Sequence, residues 1–362
     1  MKVKFTNLYK LAPNKKKIFS RIKNLIANSN FIGGPEVINF ENSFKKYTGS
    51  KFCITVANGT DALEIAVNSL NLKKGGEIIV PVNTWISTAE AVVNNGYKLV
   101  FCDISLDDYT IDLEDLKKKI NKNTSAIIVV HLYGNPVRMN KIKQIIKNKN
   151  IKIIEDCAQA HGSKIKNKHV GTFGDIGTFS FFPGKNLGAF GDGGGIITNS
   201  KKIADYCFRA RAHGALLKYD HKFSGRNSRL DSLQCAILNI KLKKYKNVIK
   251  KRSKFAKIYF NELKKIKTIY TFKRFKNNIY SYHQFVIRVN DRNRLKKYLY
   301  ENGIETMIHY PYMLNELKFF KYKKKLKNSF KLGDKLLSLP ISEEHKISEI
   351  KYIIKTIKNY YN

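Results

Sequence analysis

The chain has 362 residues, 43% of them hydrophobic, and Lys and Arg outnumber Asp and Glu by 68 to 28. This length and apolar content predict a globular protein with a large buried core and two domains, and exclude a disordered chain. The formal net charge of +40 would by default favour nucleic acid or an anionic membrane surface as a partner.

The distribution of the basic residues argues against that default. They are spread along helical stretches and concentrated in the C-terminal third, as at Lys241, Lys243 and Lys244, with no basic motif interleaved with aromatic residues. We therefore interpret the charge as a solvated basic surface and predict no nucleic-acid and no membrane partner. Anionic small substrates stay compatible with it.

Cysteine usage and the N-terminus indicate the compartment. The five cysteines are isolated, odd in number and lack paired metal-binding spacing: Cys53, Cys102, Cys157, Cys207 and Cys235. This predicts reduced thiols in a cytoplasm, no disulfide framework and no metal site. No apolar run precedes Lys15, and no stretch is long and apolar enough for a bilayer, so we expect neither a signal peptide nor a membrane span.

Residues 1–50 are predicted to be helical and connecting, and from residue 52 short apolar runs alternate with helical ones. Alternating strands and helices predict βαβ units and a buried, mostly parallel sheet, with ligands at the carboxyl ends of the strands. The predicted strands are 53–57, 78–81, 99–101, 126–130, 152–154, 177–182 and 195–199. The predicted helices among them are 62–72, 87–94 and 201–212.

The chain changes character after residue 239. Long basic helices are expected at 245–264, 292–301 and 348–361, with few strands, at 284–288 and 306–309. We therefore predict a large α/β domain over residues 1–239 and a smaller α+β domain over residues 240–362.

Two of the strand ends carry features that suit a flat, phosphorylated ligand. Gly59 and Thr60 open a helix after the first strand, which fits a phosphate site or an ordinary N-cap by Thr60. Trp85, the single Trp, follows the second strand, where it fits a ring-stacking residue or a core residue. Neither position decides between its two interpretations alone.

The strand at 152–154 runs into two acidic residues, Glu155 and Asp156. A carboxylate at the end of an apolar strand needs a partner, which would be a protonated ring nitrogen or, alternatively, a lysine or backbone donors. His161 follows shortly after. We favour a hydrogen-bonded scaffold role for it over a role in the site.

Lys185 is the only Lys or Arg between Lys168 and Lys201. Held among Phe181, Phe182 and Phe190 and away from water, its amine would lose its proton easily and become a nucleophile. The alternative is a lysine pointing into water from the turn at Pro183 and Gly184.

Taken together, these features resemble the DegT/DnrJ/EryC1/StrS family of sugar aminotransferases. The resemblance runs from about Gly33 to the C-terminus, and its most specific stretches are 155–162, 179–188 and 227–234. It implies a fold-type-I, aspartate aminotransferase-like α/β fold with a central, mostly parallel seven-stranded sheet. It also implies pyridoxal 5′-phosphate as cofactor, with pyridoxamine 5′-phosphate as its intermediate form.

The resemblance assigns roles by position. Lys185 matches the lysine that bonds the cofactor and shuttles the proton, and Asp156 matches the carboxylate that faces the pyridine nitrogen. Other matches are phosphate contacts, a stacking residue, a further polar contact and a residue from the partner subunit: Gly59, Thr60 and Ser180; Trp85; Gln159; and Asn227. Three positions resemble substrate contacts: His213, His309 and Tyr310. A homodimer with shared active sites follows from the role of Asn227.

The implied reaction moves an amino group from L-glutamate to a nucleotide-linked keto sugar. The stretch 183–194 most resembles the branch that aminates C3 of dTDP-linked 3-keto-6-deoxyhexoses, whose products usually enter lipopolysaccharide or another surface glycan. C4 amination of a UDP-4-keto sugar is the alternative. A dehydratase would carry His in place of Lys185, and a basic nucleic-acid-binding or regulatory protein is the remaining, non-enzymatic alternative.

Overall fold

The structure is a computed structural model that describes residues 1–12, 14–322, 324 and 326–362. In this part of the chain the strands are β1 Phe52–Val56, β2 Glu77–Pro81, β3 Lys98–Cys102, β4 Thr124–Val130, β5 Lys152–Asp156, β6 Lys164–Ile165, β7 Lys168–His169, β8 Ile176–Ser180, β9 Gly194–Thr198, β10 Tyr270–Thr271, β11 Asn278–Ile279, β12 Phe285–Arg288 and β13 Leu336–Leu339. The α-helices are α1 Lys15–Ala27, α2 Gly34–Thr48, α3 Gly59–Ser69, α4 Ser87–Val93, α5 Leu113–Lys119, α6 Met139–Ile145, α7 Lys201–Ala210, α8 Ser232–Lys243, α9 Tyr245–Leu263, α10 Arg292–Glu301, α11 Lys327–Leu332 and α12 Ile347–Tyr361.

A seven-stranded sheet forms the centre of the N-terminal part, in the order β1-β9-β8-β5-β4-β2-β3. Only β9 among these strands runs antiparallel to its neighbours, β1 and β8. The remaining pairs are parallel. The predicted central sheet is therefore confirmed, and the carboxyl ends of β1, β2, β4, β5 and β8 meet at one edge.

Alternation along the strands explains why both faces of this sheet are covered by helices. In β2, Ile78 and Val80 join the buried cluster with α3, α4 and α7. Ile79 joins the opposite cluster, with α5 and α6. Because side chains of successive strand residues point to opposite faces, a continuous apolar run needs a helical layer on each side.

The C-terminal part is built on a second sheet, in the order β10-β12-β13. Helix α9 packs on it through Phe255 and Tyr259, and the ring centroids of Tyr259 and Phe285 lie 4.7 Å apart. The strand expected at 284–288 is confirmed as β12.

The prediction of a strand over residues 306–309 is wrong. Met307 forms a single antiparallel bridge with Ser338, whose own segment, Leu336–Leu339, is a strand that the sequence analysis did not predict. The chain leaves the sheet after this bridge, and His309 Nδ1 lies 2.9 Å from Ser338 Oγ. A β-favouring pattern was present, but tertiary pairing extends over only one residue.

The predicted division after residue 239 falls within α8. Buried residues of both parts also share one cluster, which includes Phe101 and Tyr109 together with Phe285. The division into 1–239 and 240–362 stays a prediction. Among the described residues, no helix is both long and apolar enough to span a membrane.

Candidate active site

The N-terminus of α3 forms a cup against the end of β8. The first-turn N–H groups of Gly59 and Thr60 have no intrahelical acceptor, because an α-helix leaves its first four donors free. Asn58 caps the helix by accepting from the Asp61 N–H at 2.8 Å. A Cβ added at Gly59 would lie 2.7 Å from Ser180 Cβ, so only glycine permits this approach. Free N–H groups beside a hydroxyl suit a phosphate.

Asp156 ends β5 and lies at the same edge of the sheet. It is 5% exposed, and its two carboxylate oxygens accept from Thr88 Oγ1 at 2.9 Å and from the Ala158 N–H at 3.0 Å. Burial raises the pKa of Asp156, while these two hydrogen bonds and the charge of Lys185 act to lower it. The carboxylate is therefore held in place by donors and is poised to pair with a cation.

Lys185 sits in a tight loop after β8. Its N–H donates to Phe182 O at 2.8 Å, and a Cβ at Gly188 would lie 2.4 Å from Pro183 O, so the loop closes on itself. Burial lowers the pKa of Lys185 from 10.5 to about 8, and the Asp156 carboxylate acts in the opposite direction. At pH 8 about half of such amines are neutral, against roughly 0.3% for an ordinary lysine.

The surroundings of Lys185 differ from the expected aromatic cage. Phe181 is fully buried, but Phe182 and Phe190 are 54% and 47% exposed in the single chain. Three histidines lie near the amine instead. Burial and then the Lys185 charge lower the pKa of His161 to about 3 and that of His309 to about 4.

Gln159 connects the cup side of the site to the C-terminal part. Its Oε1 accepts from the Tyr133 N–H at 2.7 Å, and its Nε2 donates to Tyr310 Oη at 2.8 Å. The Tyr310 ring centroid lies 5.7 Å from that of Trp85, which is 58% exposed. Trp85 is thus not a core residue, and its ring is free to face a ligand.

Glu155 faces away from this edge. Its carboxylate is fully buried and accepts from the N–H groups of Gly171, Phe173 and Gly174 at 2.6–2.8 Å. His131 Nδ1 accepts from the Val137 N–H, so Nε2 is the protonated nitrogen and donates to Glu155 at 2.9 Å. The two neighbouring carboxylates therefore have different environments, and only Asp156 belongs to the site.

Comparison with known proteins identifies this constellation. Residues 13–358 match the DegT/DnrJ/EryC1/StrS aminotransferase family. The chain belongs to this family.

Individual members of the family match the chain over nearly their whole length. The chain is 38% identical over 353 residues to the dTDP-3-amino-3,6-dideoxy-alpha-D-galactopyranose transaminase of Aneurinibacillus thermoaerophilus, with 95% of each chain covered. It is 36% identical to the UDP-2-acetamido-2-deoxy-3-oxo-D-glucuronate aminotransferase of Pseudomonas aeruginosa, covering 95% of this chain and 96% of the relative. The crystal structure of S. venezuelae DesV in complex with a ketimine intermediate superposes with a TM-score of 0.96 at 30% identity, covering 100% and 99% of the chains.

These findings confirm the predicted family, fold type and enzyme class: the chain is a pyridoxal 5′-phosphate-dependent aminotransferase. The residues at the strand ends fit this cofactor. The cup of Gly59, Thr60 and Ser180 offers donors to a phosphate, Asp156 offers a carboxylate to a ring nitrogen, and Lys185 offers an amine with a lowered pKa. The assignment of each side chain to a cofactor atom stays a prediction.

Two predicted site residues of this aminotransferase do not join the cluster around Lys185. Asn227 is exposed, and its Oδ1 accepts from Arg229 Nε at 3.1 Å. His213 is also exposed, and its carbonyl accepts from His221 Nδ1 at 2.8 Å. Both lie in the loop that follows α7, so within one chain this part of the predicted site is open.

The structure places His283 beside Lys185, and no pattern in the sequence had singled this histidine out. Asn186 Nδ2 donates to Ser281 O at 2.9 Å, so its Oδ1 faces His283 Nδ1 at 2.9 Å and accepts that proton. His283 Nε2 consequently keeps a lone pair. Burial and then the charge of Lys185 hold the pKa of His283 well below its usual value. Its proximity to Lys185 depends on contacts almost a hundred residues apart, although Asn186 lay within a stretch that the sequence singled out.

The scaffold role expected for His161 needs a correction. Its ring is fully buried, but neither ring nitrogen has a hydrogen-bond partner among the residues that the structure describes. The ring lies instead against Phe179 and Phe181, with centroids 5.4 and 5.7 Å away. Packing against these rings holds the imidazole, and a backbone contact with Ser180 acts to raise its pKa.

Proposed function

We propose that this aminotransferase transfers the amino group of L-glutamate to C3 of a dTDP-linked 3-keto-6-deoxyhexose. The observation that carries the proposal is the pairing of Lys185, whose pKa burial lowers to about 8, with Asp156 on the neighbouring strand end. A neutral amine and a buried carboxylate at one sheet edge are the groups that this chemistry requires from a protein.

Asp156 and Lys185 have separate tasks in this proposal. Pyridoxal 5′-phosphate, when bound, supplies an electron sink for the α-carbon of the donor. Asp156, fixed by Thr88 and the Ala158 N–H, keeps the ring nitrogen protonated. Lys185 Nζ removes the proton from the α-carbon of glutamate and returns a proton in the second half-reaction, when the keto sugar receives the nitrogen.

The sugar is proposed to lie against His309 and Tyr310. Ser338 Oγ donates to Gln284 Oε1 at 3.4 Å, so His309 Nδ1 is the donor in its 2.9 Å contact with Ser338. The other ring nitrogen, Nε2, then accepts from a sugar hydroxyl. Tyr310 Oη, which accepts from Gln159, has its own proton left to donate to a keto or hydroxyl oxygen.

The choice of C3 and of dTDP is supported by the relative from Aneurinibacillus thermoaerophilus and its name. A UDP-linked 3-keto sugar is the second candidate, supported by the relative from Pseudomonas aeruginosa at 36% identity. Delivery of the amino sugar to lipopolysaccharide or another surface glycan stays a prediction from the resemblance.

We also propose a homodimer in which Asn227 completes the phosphate site of the partner subunit. Its exposure in the single chain supports this, since the hydrogen bond of its amide in the described part of the chain goes to Arg229 and not to the cup of its own subunit. Exposed Phe182 and Phe190 on either side of Lys185 support it further, because a partner would remove them from water. A cytoplasmic location is proposed from the five cysteines, all of them free thiols and buried.

A panel of acceptors tests the function. Purified enzyme with pyridoxal 5′-phosphate and L-glutamate is incubated with dTDP-3-keto-6-deoxyglucose, its galacto epimer, a UDP-3-keto sugar and a UDP-4-keto sugar. Products are identified by mass spectrometry, and the aminated carbon is assigned by NMR. Amination of a dTDP-3-keto sugar at C3 is expected. Turnover of a UDP sugar alone would overturn the dTDP assignment, and amination at C4 would overturn the position.

A further inference from the structure

The loop that carries Asn227 is fastened to helix α3 on both sides of that residue. Arg226 Nη1 lies 3.1 Å from Asp61 Oδ1 and 2.5 Å from Glu64 Oε2. Ser228 Oγ donates to the other carboxylate oxygen of Asp61, Oδ2, at 2.6 Å. Residues 226 and 228 therefore both reach Asp61 in the first turn of α3, and Arg226 also reaches Glu64 in the next turn.

Asn227, between them, faces the opposite way. It forms an antiparallel bridge with Ala212, so the backbone is extended here and successive side chains alternate in direction. Arg229 lies on the same side as Asn227, and its Nε donates to Asn227 Oδ1 at 3.1 Å. Because arginine has only donors, the oxygen must face it, and the Nδ2 hydrogens of Asn227 stay available for an acceptor such as phosphate.

We infer that Arg226 and Ser228 are positioning residues, which hold Asn227 at the reach and orientation needed to donate to the phosphate in the partner subunit. We call the set Arg226, Ser228, Asp61 and Glu64 the α3 clamp. The inference rests on the proposed function, specifically on the shared phosphate site. Helix α3 also begins with the cup of its own subunit, at Gly59, so each cup helix supports the residue that completes the other cup.

The ion pair between Arg226 and Asp61 also has an electrostatic effect within its own subunit. Asp61 lies in the first turn of α3, directly beside the proposed phosphate cup, and an unpaired carboxylate there would repel a phosphate dianion. Arg226 neutralises it. Loss of Arg226 can therefore weaken cofactor binding in two ways, in its own subunit through Asp61 or in the partner through Asn227, and the test must separate them.

Homodimeric variants give the first part of the test. Arg226→Gln is expected to weaken pyridoxal 5′-phosphate binding about tenfold, and Asn227→Ala by a similar factor, measured by titration of the visible absorption band. Arg226→Lys, which keeps the charge, is expected to retain most of the affinity. The matched control is Lys201→Gln, which removes an exposed ion pair with Asp205 on α7 and should bind as the wild type does. Combining R226Q with N227A should weaken binding no further than N227A alone.

Mixed dimers show whether the loss of Arg226 weakens cofactor binding in its own subunit or in the partner subunit. In the first, one subunit carries Lys185→Ala and its partner carries Arg226→Gln, so the only site with Lys185 receives Asn227 from an intact loop. That site is expected to bind the cofactor with wild-type affinity. In the second, one subunit carries both K185A and R226Q and its partner is wild type. There the only site with Lys185 faces the damaged loop and is expected to bind about tenfold more weakly.

The reverse pattern, with weak binding in the first mixed dimer and normal binding in the second, would overturn the inference and assign the effect to Asp61 in its own subunit. Normal binding in both would also overturn it. If the proposal of a shared phosphate site were itself wrong, N227A homodimers would bind pyridoxal 5′-phosphate as tightly as the wild type. That outcome is distinguishable from failure of the positioning role of Arg226. Melting curves of each variant without cofactor show whether R226Q has lost affinity through unfolding instead.

Discussion

The two parts of the candidate site differ in how complete they are within one chain. At the ends of β5 and β8, Asp156 and Lys185 lie buried, with pKa values shifted and hydrogen bonds in place. In the loop after α7, Asn227 and His213 are exposed, and their side-chain and carbonyl hydrogen bonds within the described part of the chain go to residues of the same loop. The proposed reacting groups thus lie in one subunit, whereas binding of the phosphate is proposed to need two.

This difference predicts two kinds of defect. Changes at the strand ends should remove the chemistry while the protein still folds, since the surrounding core is formed by other residues. Changes in the loop should weaken binding of the cofactor and leave the rate at saturation nearly unchanged, because the loop residues do not contact the reacting atoms.

The largest effect is expected from Lys185→Ala. The variant loses the amine that is proposed to bond the cofactor and move the proton, so transamination should fall by about 10⁴-fold or more. Its circular dichroism spectrum and melting temperature should match those of the wild type, as should all properties of the surface control Lys201→Ala. Turnover near the wild-type rate would rule out the role of Lys185 in bonding the cofactor.

Asp156→Asn should have the next largest effect. An amide does not stabilise a protonated ring nitrogen, so the electron sink is weakened, and the rate with L-glutamate should fall by about 10²- to 10³-fold. Stopped-flow measurement of the glutamate half-reaction isolates this step from sugar binding. A rate within a factor of about two of the wild type would contradict the pairing of Asp156 with the ring.

Gly59→Ala should weaken cofactor binding. The added Cβ would lie 2.7 Å from Ser180 Cβ, so α3 must shift and its N–H groups leave the phosphate position. A cost of about 1–3 kcal/mol for such overpacking corresponds to a loss of roughly 5- to 150-fold in affinity. Gly333→Ala is the control, since a Cβ there meets only Ser329 O at 3.7 Å. Equal affinity of the two variants would contradict the assignment of the cup of Gly59, Thr60 and Ser180 as the phosphate site.

The smallest expected effect is a shift in the pH dependence of the rate at which Lys185 bonds to pyridoxal 5′-phosphate. Because the neutral amine of Lys185 reacts and its pKa is about 8, the rate of bonding to pyridoxal 5′-phosphate should rise with pH and level off above pH 8. The charge of Asp156 raises that pKa, so D156N should move the levelling point to lower pH. Rapid-mixing rates from about pH 6 to pH 10 measure it, and a rate that still rises at the upper limit would indicate an ordinary lysine.

The sequence predicted the site residues at the strand ends better than the contacts between residues far apart in the chain. The strand ends that carry Gly59, Asp156 and Lys185 follow from local apolar runs, and the central sheet was therefore predictable. The partner of Asp156 was not, because Thr88 precedes it by 68 residues and belongs to α4. The contact of Gln159 with Tyr310 spans 151 residues and joins the two parts of the chain.

The burial of individual side chains was the second property that could not be predicted from the sequence. Phe182 and Phe190 were expected to shield Lys185, yet both are half exposed in the single chain. In the proposed homodimer, their environment would also depend on the surface that the partner covers. The short strand β13 was missed for a related reason: Leu336–Leu339 is only four residues long and is followed by Pro340, so its pattern is typical of a connecting segment.

The most direct measurement is the absorbance spectrum of the purified protein with pyridoxal 5′-phosphate, before and after L-glutamate and then a dTDP-3-keto sugar. We expect a visible band that depends on Lys185, disappears with glutamate and returns with the keto sugar. A protein that forms no such band, or whose band persists in glutamate, would contradict the assignment of Lys185 and Asp156 as the residues that carry amino transfer.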